Sequence, residues 1–64
     1  MMKVYIEHED REVSAKAGSV KELLGKLKIN PVTVVVVKNN EMVTEEEKLG
    51  PKDDVKILSV ISGG

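Results

Sequence analysis

The residues best suited to covalent chemistry are Ser62-Gly63-Gly64, where the chain ends on two residues without a Cβ and on a carboxylate that no side chain shields. At an average glycine usage of about 7%, two glycines close a chain roughly once in two hundred sequences. With no residues after them they serve neither as a turn nor as a helix cap, both of which need chain on either side. They form a slim arm. The other reactive types are scattered. Glu7-His8-Glu9-Asp10 holds metal-ligand chemistry, but it contains the single histidine and its members are adjacent, so it reads as a solvated hairpin tip. Ser59 or Ser62 with His8 and an acid lacks the spacing of a nucleophile elbow or an oxyanion hole. Glu45-Glu46-Glu47 reads as a charged, solvated helical start. The lysines, from Lys3 to Lys56, could each accept an acyl group, but surface lysines are ordinary. No catalytic side chain and no metal site is expected.

Composition narrows the field further. Sixty-four residues make one domain, and a chain of this size buries only about 60% of the surface it exposes unfolded. That leaves no room for a core and an enclosed active site together. Ten Lys plus Arg against eleven Asp plus Glu give a net charge of -1 with the signs interspersed. Direct nucleic-acid or membrane partners are therefore not expected. Without cysteine there is no disulfide, no thiolate metal site and no thiol nucleophile, so any sulfur chemistry must happen elsewhere than on a cysteine. The N-terminus lacks the apolar stretch of a signal peptide, and Val34 to Val37 is too short to span a bilayer. A cytoplasmic protein that begins and ends with its gene is the expectation.

The elements that must carry the arm are legible from periodicity. Met2, Val4 and Ile6 alternate with polar residues, and Arg11 to Ala15 alternates again after a polar turn, which predicts a hairpin. Ser19 with Glu22 has the spacing of a capping box. Val20, Leu23, Leu24 and Leu27 then recur at helical spacing, predicting a helix of about nine residues that Asn30-Pro31 stops. Thr33 to Lys38 is a β-branched strand, and Asn39-Asn40 suits a tight turn into Glu41-Met42-Val43. Thr44 with Glu47 suggests a short helical turn, Gly50 to Asp54 a loop, and Val55 to Ile61 the last strand. The predicted order is β-β-α-β-β-β, with a domain over 1–61 and a tail over 62–64.

One helix covers one face of a sheet, so two of the four consecutive valines must point away from it. Pairing with the last strand makes Val35, Val37, Leu58 and Val60 the outward set. A contiguous apolar patch on a small domain marks a docking surface more often than an accident. Cover by a loop or by a second copy is the plainer alternative.

This arrangement resembles the ubiquitin-like β-grasp fold, an α+β mixed five-stranded sheet with one main helix on one face, and in particular its sulfur-carrier branch. That branch comprises the carrier of thiazole biosynthesis, the small subunit of molybdopterin synthase, the carriers of transfer-RNA thiolation and the small archaeal modifiers. The resemblance spans the chain and rests on Val60-Ile61-Ser62-Gly63-Gly64, on Asp53-Asp54 before the last strand, and on Lys38 to Val43, which is similar to the N-G-x-x-V turn of thiazole carriers. Asn40 stands where glycine is usual, and the last strand lacks an aromatic.

The resemblance implies that function resides in partner enzymes and in the Gly64 carboxyl. An ATP-dependent adenylating enzyme of the ubiquitin-activating type would form an acyl-adenylate on Gly64. Sulfur from a cysteine desulfurase or a rhodanese-like protein would replace AMP, leaving a thiocarboxylate for a sulfur-accepting synthase or thiolase in thiamin thiazole, transfer-RNA thiouridine or molybdopterin synthesis. No cofactor would be bound permanently; ATP is the partner's, and sulfur is the cargo. Gly63 and Ser62 would carry Gly64 into the partner's site. A protein modifier joined through Gly64 to lysines is the alternative with the same first step. A β-grasp interaction module with an inert tail is the alternative of another class.

Overall fold

The computed structural model describes residues 1–60; the predicted tail, Ser62-Gly63-Gly64, and Ile61 lie outside the described residues. The alternation of Met2, Val4 and Ile6 forms strand β1 (Met2–Ile6), and strand β2 (Arg11–Ala15) returns antiparallel to it with Met2 opposite Ala15. Between them Glu7–Glu9 makes a single 3-10 turn that Asp10 closes in the left-handed region. Helix α1 (Val20–Lys26) follows, then a 3-10 turn at Pro31–Thr33, strand β3 (Val34–Lys38), strand β4 (Glu41–Val43) and strand β5 (Asp54–Ser59). The sheet order is β2-β1-β5-β3-β4, in which β5 runs parallel to β1 and antiparallel to β3. This is the predicted mixed sheet with one helix on one face, the β-grasp arrangement.

Helix α1 starts where the Ser19–Glu22 spacing places it. The Glu22 N–H donates to Ser19 Oγ at 3.2 Å, while the Glu22 carboxylate accepts from the Gly18 N–H at 2.7 Å, one residue earlier than in a standard capping box. The helix is seven residues long, not nine, and Asn30-Pro31 does not stop it. Lys28 does, by taking a left-handed φ of 59°. Its N–H donates to the Gly25 carbonyl and the Ile29 N–H to the Leu24 carbonyl, the two bonds of a Schellman motif. Ile29 then packs on the core, as that motif favours.

A second correction concerns Thr44 to Glu47, which is no helical turn. The Glu47 N–H donates to the Thr44 carbonyl in one isolated turn. The carbonyls of Glu45 and Glu47 accept from the N–H groups of Lys21 and Val20, so this loop caps the start of α1. Strand β5 also begins at Asp54 and ends at Ser59, shorter than the predicted 55–61 at its far end.

The core lies between α1 and the inward face of the sheet. Met2, Val4, Ile6, Val20, Leu23, Leu24, Val36, Val55 and Ile57 are buried there, together with Leu49 from the loop before β5. Val34 packs against this cluster beside Val36, which fixes the inward pair of the valine run. Val35 and Val37 therefore face away from the helix.

Candidate functional site

The outward face of the sheet is built in rows by strand register. Tyr5, Lys56, Val37 and Met42 stand side by side across β1, β5, β3 and β4. In the neighbouring row, toward the end of β5, Leu58 lies opposite Val35. Val35, Val37 and Leu58 are half-buried, and Met42 is 75% exposed. The predicted patch is thus brought together, except that Val60 lies one step past the strand. Val60 is 54% exposed, and its N–H donates to the Thr33 carbonyl at 3.0 Å. This bond fixes the point from which the remaining residues depart. Met42 belongs to the patch but is not in the predicted set. Its signal is its place two residues after the Asn-Asn turn, which seats it opposite Val37.

The hairpin that presents Val37 and Met42 is held to β5 by a polar cluster. Asn39 and Asn40 have φ values of 51° and 70°, as a two-residue turn between strands of this twist requires. Asn39 Nδ2 donates to Asp53 Oδ1 at 3.0 Å, and its Oδ1 accepts from the Asp54 N–H at 3.0 Å. The Gly50 N–H donates to the other Asp53 oxygen at 2.7 Å. These donors, Asn39 first and Gly50 second, hold the Asp53 carboxyl below the usual aspartate range. The Asp53 carboxyl is therefore a structural clamp, and Asp54, the first residue of β5, joins it through its backbone N–H alone.

Two further contacts frame the face. Lys38 Nζ donates to Glu47 at 2.7 Å and to the Lys48 carbonyl at 3.2 Å, tying the end of β3 to the loop over α1. The bond to Glu47 raises its pKa. The Tyr5 hydroxyl donates to Asp10 at 2.7 Å, which raises the phenol in turn. His8 approaches Glu9 at 3.6 Å and Arg11 approaches Glu9 at 3.0 Å, both pairs exposed. Among the described residues no group of metal-ligand side chains gathers to hold an ion, and no helix is long and apolar enough to cross a membrane.

A depression of about 820 Å³, lined by residues such as Met1, Ala17, Lys26 and Pro51, sits where β1 and β5 begin. It is at the opposite end of the sheet from Val60.

With this geometry in place, comparison with known proteins decides the family: the sequence matches the ThiS family over residues 3–64. The chain belongs to the ThiS family. It is 40% identical over 57 residues to the sulfur carrier protein TtuB of Thermus thermophilus, covering 88% of each chain. It is 39% identical over 61 residues to an uncharacterized protein of Archaeoglobus fulgidus, covering 95% of this chain and 90% of that one. The resemblance drawn from the terminal motif, the acid pair and the Asn-Asn hairpin is correct at the level of family and fold. Carriers of this family are substrates of partner enzymes, and this chain is a sulfur carrier of that kind rather than a catalyst.

Proposed function

We propose that the Gly64 carboxyl is the working group of this carrier. A carboxylate is a resonance-stabilised anion and a poor electrophile, so its oxygen must first become a good leaving group. An adenylating enzyme joins Gly64 to AMP, releasing pyrophosphate from ATP. A partner's sulfur then displaces AMP. Where that sulfur is a persulfide, a thiol cleaves the resulting acyl disulfide and carries off the oxidising equivalent, leaving the thiocarboxylate. The acceptor is a thiamin thiazole, transfer-RNA thiouridine or molybdopterin precursor. Val35, Val37, Leu58 and Val60, joined by Met42, form the docking face.

The observation that supports this reading is that the family match extends to residue 64, so the glycine pair lies inside the matched span. The position of Val60 supports it, since only three residues separate that fixed point from Gly64. Glycine at 63 and 64 lets the arm pass where a Cβ would clash. The test is intact-mass analysis of the protein from its native cells, beside a variant lacking Gly64. Exchange of one oxygen for sulfur in the full chain, and neither that exchange nor partner-dependent AMP formation in the deletion variant, is the expected result. Branched peptides joining Gly64 to lysine would establish the modifier reading. Unchanged AMP formation after the deletion would overturn both.

A further inference from the structure

We infer that Lys56 sets the register of the docked partner by pairing with a carboxylate on the adenylating enzyme, an inference that rests on the docking face proposed above. Lys56 occupies the middle strand of the outward face, with Tyr5 on one side and Val37 on the other. It is exposed. The ion pairs among the described residues are His8–Glu9, Glu9–Arg11, Glu22–Lys26 and Lys38–Glu47, and Lys56 is in none of them. Nor does the neighbouring phenol serve it, because the Tyr5 hydroxyl is turned to Asp10. The other charged residues on this face are Lys3 and Asp54, in the row toward the start of β5, and Glu12, beyond Tyr5.

The position makes the cation consequential. Strand spacing puts Lys56 about 5 Å from Val37, and about 7 Å along the chain from Leu58, at the border of the apolar corner. The four residue-to-residue steps from Val60 to Gly64 reach at most about 14 Å. A partner acting on Gly64 must therefore sit close against this end of the sheet. A standard interface takes about 800 Å² from each protein, and the body is only 22 Å across its shorter axes. Such an interface covers Lys56 as well as the apolar corner. Once covered, an ammonium group without a partner loses its hydration with nothing in return. A surface that offers only apolar contact is penalised, and one with a carboxylate beside its apolar patch is selected.

The experiment compares wild type, Lys56→Met and Lys56→Glu against the adenylating enzyme encoded in the same genome, reading both binding and ATP–pyrophosphate exchange at low and high salt. Circular dichroism and urea unfolding confirm that each variant is folded, which an exposed position permits. We expect binding to weaken about tenfold or more for Lys56→Glu at low salt, and Lys56→Met to lose most of the salt dependence. Wild-type behaviour in both variants overturns the pairing while leaving the Gly64 chemistry standing. Binding that depends on Lys56 without any exchange supports the pairing and overturns that chemistry. No binding by wild type overturns both.

Discussion

Asn39 does two jobs in one side chain: it holds a left-handed backbone position and it clamps the hairpin to Asp53 and Asp54. The two can be separated. Asn39→Gly keeps the turn and loses the clamp, whereas Asn39→Ala loses the clamp and adds the strain of a Cβ at positive φ. Urea unfolding should find the alanine variant less stable than the glycine variant by about 1–2 kcal/mol. Asp53 adds a pH dependence. Its folded carboxyl titrates below the ordinary aspartate value, so its contribution is whole above about pH 4 and is lost as pH falls through the folded value. The urea midpoint of wild type should therefore drop, as pH falls below about 4, more steeply than that of Asp53→Asn. Equal slopes would remove Asp53 from the clamp.

Helix α1 shows how far an element can be read from its residues. Lys28 ends it at a φ of 59°, where glycine is the usual choice. Lys28→Gly should raise stability by about 1 kcal/mol. Gly25, inside the helix, has open space where a Cβ would go. Gly25→Ala should add about 0.5–1 kcal/mol by the same urea measurement. The helix start is legible because Ser19 and Glu22 act locally, and the strands are legible because burial of one face imposes a period of two. The helix end is not, because lysine carries no signal for the left-handed region. Thr44 to Glu47 misleads for a different reason: its spacing is that of a cap, but its carbonyls serve a helix some twenty-five residues earlier. Met42 and Lys56 escape a reading centred on the valine run, since only cross-strand register puts them beside Val37.

The whole molecule has little stability to spare. A chain of this length is worth roughly 3–10 kcal/mol in total, and Leu23 is fully buried under the sheet. Leu23→Ala should cost about 2–5 kcal/mol, enough to lose a cooperative urea transition or move its midpoint sharply down. Val35→Ser, on the half-buried outward face, should cost no more than about 1 kcal/mol, a far smaller shift of that midpoint than Leu23→Ala, while weakening partner binding. The sheet order has one more consequence. β5 is the last strand of the described chain to be synthesised, yet it occupies the centre, bonded to β1 on one side and β3 on the other. While the ribosome still holds residues 54–59, the two hairpins have no strand to join them. A chain that lacks β5 cannot form the outward face and leaves the apolar inner sides of both hairpins open to proteases. The outward face that carries Val35, Val37 and Leu58 therefore exists only once β5 lies between the two hairpins, and the last strand made is the one that completes it.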